Sequence, residues 1–244
     1  MKEKIIYINL DSREDKNMWM QTQLSSLQPV IEFERYPAIY PGLYDADNNK
    51  VEKQWKYYND DIVNSEYKNI GHKAQGWFGC YQSWKHIITK LHDDPKYIQY
   101  SYITILEDDC IIGTEYITYR NKIIKKLPDT WNIIRPLQLN DPIMKGNEIY
   151  KFTDPGSKSK YGKSTDNKYS NGAHCVTINM KNIHDLVSWI EKEWTMAFDH
   201  MCCTNLINSY FIGVDSELVP EQNLSFHSDI NNIKLKKRIR NLMK

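Results

Sequence analysis

Glu107, Asp108 and Asp109 stand side by side directly behind a mostly apolar run at residues 102–106. Three adjacent carboxylates repel one another, so their closeness calls for a compensating charge. In an extended strand alternate side chains share a face, which puts Glu107 and Asp109 together and turns Asp108 away. Two carboxylates so spaced at a strand's end suit a hard divalent cation. A cation held there can bridge a diphosphate and neutralise the charge of a departing nucleotide. A solvated acidic turn that closes a strand uses the same residues, so both readings stand. Ile111 and Ile112 follow at once, and acids set inside an apolar stretch fit a cleft better than a loop tip. In open α/β sheets the ends of the strands form the usual ligand crevice.

The elements that must position this triplet follow from periodicity. Residues 4–10 (KIIYINL) read as a buried strand. Asp11 and Ser12 supply capping oxygens for a helix carrying Met20, Leu24 and Leu27. Residues 36–70 are rich in Tyr, Asn and Asp and read as a long surface excursion. Gly76 and Gly79 punctuate the next stretch, after which Trp84, Ile87, Ile88 and Leu91 recur at helical spacing. A strand at 102–106 leads to the acids. Thr114 caps a helix with Tyr116, Ile123, Ile124 and Leu127, and a strand lies within LPDTWNIIRPLQL. Residues 153–171 hold turn formers and few apolar side chains, the pattern of a mobile loop. Residues 173–179 form a strand, and Ile183, Leu186, Val187, Ile190 and Trp194 form a regular helical stripe. A helical stretch near 200–210 and a strand at 211–214 follow. Strands alternating with helices predict an α/β fold, with a mostly parallel mixed sheet and helices on both faces. With no repeat and no linker, residues 1–244 read as one domain. The basic segment at about 233–244 reads as a terminal helix, either solvated or resting on anionic lipid.

Composition narrows the function. Lys and Arg number 32 against 31 Asp and Glu, so no general polyanion surface, and no nucleic-acid partner, is indicated. Hydrophobic residues make up 41%, enough for a sizeable core. The five cysteines show no zinc-ligand spacing and read as free thiols of a cytoplasmic protein. No stretch has the length of a transmembrane helix or the pattern of a signal peptide.

Several blocks, in order, resemble glycosyltransferase family 25, the group that contains lipopolysaccharide-type and collagen galactosyltransferases. Residues 6–16 (IYINLDSREDK) are similar to its N-terminal strand and Asn-Leu-Asp-x-Arg-x-Asp signature. Residues 76–86 (GWFGCYQSWKH) resemble its Gly-Cys-x-x-Ser-His block, with Trp84 standing where the family usually carries His. Residues 105–110 (ILEDDC) resemble its acidic motif, and 172–183 (GAHCVTINMKNI) its glycine-led strand and helix. AFDHM at 197–201 resembles its Pro-Ile-Asp segment, and LVPEQNLSFHSDI at 218–230 its closing block.

The resemblance implies a GT-A-type fold with a Rossmann-like nucleotide half. It implies an inverting transfer of galactose or glucose from UDP-galactose or UDP-glucose to a glycan or other hydroxyl acceptor, assisted by Mn2+ or Mg2+. On it, Asp109 and Glu107 are metal ligands, and His227, from the closing block, either joins them or is a surface histidine. Asp108 contacts ribose or the donor sugar. Asn9, Leu10 and Arg13 lie where the nucleotide binds, and Ser83 contacts the donor. Asp199 is the base that takes the acceptor's proton; as a helix N-cap the same Asp199 has a purely structural use. Arg13 likewise fits either a phosphate or an ion pair with Asp15 or Glu14. The alternative function is a carbohydrate-binding protein of the same fold with weak or no turnover. Peripheral membrane contact rests on the basic terminus alone. A metal-dependent phosphoesterase would want more His and Asp near the triplet than the sequence offers.

Overall fold

The computed structural model describes residues 2–28, 30–39, 71–138, 149–151, 173–192, 198, 202, 207–214, 220–223 and 225–226. Strand β1 (Glu3–Asn9) opens the chain, and helix α1 (Glu14–Ser25) returns to β2 (Glu32–Pro37), parallel to β1. Helix α2 (Gly71–Asp93) leads to β3 (Tyr102–Glu107) on the other side of β1, also parallel. A two-residue strand β4 (Cys110–Ile111), helix α3 (Thr114–Ile124), β5 (Ile133–Gln138) and β6 (Ile149–Lys151) follow. Then come β7 (Cys175–Asn179), α4 (Ile183–Lys192), β8 (Ser209–Val214) and β9 (Glu221–Gln222).

Seven strands form one sheet in the order β2-β1-β3-β7-β5-β8-β6, and β4 pairs with β9 apart from it. The pairings make β1, β2, β3, β5 and β8 run one way and β6 and β7 the other. The expected α/β class and its mostly parallel mixed sheet are therefore observed. The alternation of β1 shows how both faces are buried. Ile6 and Ile8 join Ile87, Leu91, Leu186 and Ile190 from α2 and α4 on one face. Ile5 and Tyr7 join Met20, Leu24, Tyr116 and Ile117 from α1 and α3 on the other. Each aliphatic side chain so buried contributes about 1.5–3 kcal/mol, which fixes the register of the strands that carry the acids.

Several local expectations are corrected. Asp11 and Ser12 do not cap α1: its N-cap is Arg13, without a side-chain cap bond, and Asp11 instead pairs with Arg35. Thr114 is the first residue of α3 rather than its cap, and its hydroxyl accepts the Gln28 N–H at 3.1 Å. Gly76 and Gly79 do not interrupt the chain, because α2 runs through both. Strand β2 occupies sequence given no expected element up to residue 35 and takes in Tyr36 and Pro37, which open the expected surface excursion at 36–70 but lie in the sheet, with Tyr36 buried. Its residues, EFERYP, alternate charge with bulk, and the charges are used rather than solvated: Lys4 bonds Glu32 at 2.6 Å and Glu34 at 2.9 Å. The loops near 40–70 and 153–171 and the terminal segment 233–244 lie outside the described residues. Cys110, Cys175 and Cys202 are buried and Cys80 half-buried, and none of these four is in a disulfide.

Candidate active site

Strand β3 ends at Glu107, and the chain turns through Asp108 and Asp109 into β4. Strict strand alternation thus stops at Glu107, and the turn, not the pleat, orients the other two acids. The closing part of the chain is sewn onto this turn. Cys110 and Ile111 pair with Gln222 and Glu221, and the Asn223 N–H donates to the Asp109 carbonyl at 2.6 Å.

Because β7 is antiparallel to β3, it begins where β3 ends. The Glu107 N–H donates to the His174 carbonyl at 3.0 Å, and His174 Nδ1 lies 2.7 Å from Glu107 Oε2. One ligand atom each from Glu107, Asp109 and His174 lies within 4.8 Å of the others. Two carboxylates and an imidazole are a donor set for a small divalent ion. Glu107, Asp109 and His174 are therefore the residues that could hold such an ion. Cys80, on α2, points its thiol at Glu107 Oε1 from 4.0 Å.

Asp108 faces inward and is 9% exposed. Its Oδ1 accepts from Lys16 Nζ at 2.8 Å and its Oδ2 from Asn9 Nδ2 at 2.9 Å. Burial pushes the Asp108 carboxyl above its ordinary range, while the Lys16 ammonium and the Asn9 amide pull it back down. The same Lys16 ammonium lies 3.4 Å from Asp109 Oδ2. Lys16 is 2% exposed, on the inward side of α1, and lies 5.9 Å from the Phe226 ring centroid. Phe226 in turn meets Trp19 edge-on at 5.2 Å. Thus α1, the acidic turn and the closing segment converge on one buried cation.

Asn9, at the end of β1, ties this network to β2. Its Nδ2 also donates to the Arg13 carbonyl at 3.1 Å, and its Oδ1 accepts from Arg35 Nε at 2.8 Å. Leu10 follows at the strand's exit, half-buried, and its carbonyl accepts the Arg13 N–H at 2.9 Å. Arg13 forms a two-pronged pair with Asp15 at 2.9 and 2.8 Å, which lowers the Asp15 carboxyl to about 2. Ser83 is buried inside α2, donating to the Gly79 carbonyl at 2.7 Å and accepting the Ile39 N–H at 2.8 Å. It thereby fastens the exit of β2 to α2. Trp84 is wholly buried and stacks on Phe198 at 4.0 Å and 7°, so the residue that replaces the family's His is packed into the core. Phe198 is the chain neighbour of Asp199. Asp199 and His227 themselves lie outside the described residues.

The geometry brings Glu107, Asp108, Asp109 and Asn9 to one sheet margin. It adds Lys16, His174 and Arg35, which the sequence reading did not single out. His174 and Lys16 both sit inside the motif blocks at 172–183 and 6–16, which was the one signal available for them. A depression of about 620 Å³ lies at the opposite margin, lined by residues including Tyr102, Trp131, Asn179 and Lys181. The acidic turn has no part in it.

Residues 2–202 match the model of glycosyltransferase family 25 (LPS biosynthesis protein), and the chain belongs to that family of sugar-transferring enzymes. No curated protein sequence matches the chain. Solved structures are similar at low identity. A CMP:2-keto-3-deoxy-manno-octonic acid synthetase in complex with CTP shares 10% identity at a TM-score of 0.46, covering 100% of this chain and 98% of that one. The galactosyltransferase LgtC with donor and acceptor sugar analogs shares 14% identity at a TM-score of 0.39, over 80% and 68%. Mouse xyloside xylosyltransferase 1 shares 12% at 0.34, over 78% and 60%. Likenesses this distant do not decide between activities. Among the described residues no helix is long and apolar enough to cross a membrane.

Proposed function

We propose that the protein is a GT-A-type glycosyltransferase that moves galactose or glucose from a UDP-sugar to a glycan or other hydroxyl acceptor with inversion. The observation that carries this reading is the meeting of Glu107, Asp109 and His174 at the margin where β1 and β3 end. Family membership supplies the reaction class. The donor set fits Mn2+ or Mg2+, with Glu107, Asp109 and His174 as ligands and His227, next to Phe226, as a further one. When bound, such an ion neutralises the diphosphate charge that develops as the nucleotide leaves.

The chain's own groups have separate tasks. Asp108, held by Lys16 and Asn9, fixes the turn so that Asp109 presents an oxygen beside Glu107. Asn9, Leu10 and Arg13 border the nucleotide at the exit of β1, with Arg13 exchanging its pair with exposed Asp15 for a phosphate oxygen. Ser83 acts from behind, by holding the β2 exit against α2. Asp199 takes the proton of the acceptor hydroxyl as that oxygen bonds to the anomeric carbon and the bond from that carbon to the UDP oxygen breaks. Phe198, buried against Trp84 and Trp189, anchors the backbone next to this base.

The test is a transfer assay with purified protein, a panel of UDP-hexoses and added Mn2+ or Mg2+. The expected outcome is metal-stimulated release of UDP, lost in Asp109→Ala while that variant stays folded. Undiminished metal stimulation in Asp109→Ala, or no turnover of any UDP-hexose in the intact protein with either ion, refutes the proposal.

A further inference from the structure

Resting on the metal reading above, we infer that Lys16 is a built-in counter-cation that sets how tightly the acidic turn holds its divalent ion. Lys16 Nζ bonds Asp108 Oδ1 at 2.8 Å and reaches Asp109 Oδ2 at 3.4 Å. Asp109 is thus shared between an ammonium and the Glu107–His174 cluster. Among the described residues at this turn, the carboxylates of Glu107, Asp108 and Asp109 outnumber the Lys16 ammonium, and a divalent ion would meet less repulsion with that ammonium gone.

The setting strengthens the effect. Lys16 is nearly inaccessible and its ammonium lies near the Phe226 ring, so its field on the cluster is weakly screened by water. Lys16 therefore does two things. It allows three adjacent acids to fold without an ion, and it holds metal affinity low enough for the ion to exchange. Lys16 acts through Asp108 and Asp109, so it is a positioning residue rather than one that touches substrate.

The probe is Mn2+ alone, titrated against the full chain and followed by the electron paramagnetic resonance signal of the free ion. Lys16→Met is expected to bind Mn2+ at least about tenfold more tightly than the wild type, from the lost repulsion at short range. Lys16→Arg, which keeps the charge, is expected to stay near the wild type. A folded Lys16→Met that binds Mn2+ equally or more weakly overturns the inference. Should that variant not fold, because Asp108 loses its counter-charge, the same comparison is made between Asp108→Asn and the double variant Asp108→Asn/Lys16→Met. The double variant is expected to bind more tightly by a similar factor, and equal binding overturns the inference. Asp109→Asn in the wild-type background separates the two levels. If it abolishes Mn2+ binding while Lys16→Met binds no tighter, only the role of Lys16 falls. If binding survives Asp109→Asn unchanged, or no variant binds Mn2+ at all, the metal assignment falls and this inference with it.

Discussion

Asn9→Ala should destabilise the protein by about 2–4 kcal/mol, most of it felt through Asp108. The Asn9 side chain is 1% exposed and makes three hydrogen bonds, to Asp108, to the Arg13 carbonyl and from Arg35. Truncation leaves a buried carboxylate one donor short, which costs about 1.5–3 kcal/mol, and the peptide carbonyl adds up to about 1 kcal/mol. Arg35 is partly exposed and regains water, so its share is small. With a urea slope of roughly 3 kcal/mol/M, the unfolding midpoint falls by about 1 M. The Asn9 bond is among the influences that lower the Asp108 carboxyl against its burial, so the deficit should narrow as pH falls and Asp108 takes up a proton. Urea unfolding followed by circular dichroism, in a cycle with Asp108→Asn, measures the pair. A coupling energy of at least ~1 kcal/mol is expected for residues in contact. A loss below about 0.5 kcal/mol, or strict additivity with Asp108→Asn, would refute the claim that Asn9 braces the acidic turn.

The far end of the sheet makes a pH prediction. Burial alone would raise the Glu34 carboxyl, but hydrogen bonds from Tyr97 and Lys4 outweigh it and hold it below its ordinary value. A carboxyl lowered by folding contributes stability above its unfolded range and loses it as pH falls through the folded value. Glu34→Gln should therefore cost about 1–2 kcal/mol near neutrality and flatten the acid limb of a stability-against-pH curve; an unchanged acid limb contradicts it. Trp84→Ala removes a wholly buried ring stacked on Phe198 and should cost about 3–5 kcal/mol. Its melting temperature checks this, and a loss under 1 kcal/mol would mean that Trp84 is not part of the core.

The elements legible in the sequence were those whose burial writes itself into a run of one chemistry. β1, β3 and β7 are mostly apolar stretches, because both faces of each strand are covered. β2 escaped because Glu32, Glu34 and Arg35 look like loop residues. Their partners on β1, Lys4 and Asn9, show them as strand residues. β4 and β9 are two residues each and exist only through each other. The acids were legible because three in a row behind an apolar run is rare chemistry. Lys16 was not, since a lysine on a helix reads as surface until an aspartate 92 residues away is seen to bury it. His174 came to Glu107 through an antiparallel pairing, whereas strands alternating with helices had suggested parallel neighbours.

Glu107, Asp109 and His174 are proposed together to hold the divalent ion that serves sugar transfer. Crystals grown with Mn2+ and UDP allow anomalous diffraction to locate that ion. The expected result is one strong peak about 2.2 Å from an oxygen of Glu107, an oxygen of Asp109 and a nitrogen of His174. A peak coordinated elsewhere, or none with UDP bound at this margin, would contradict it.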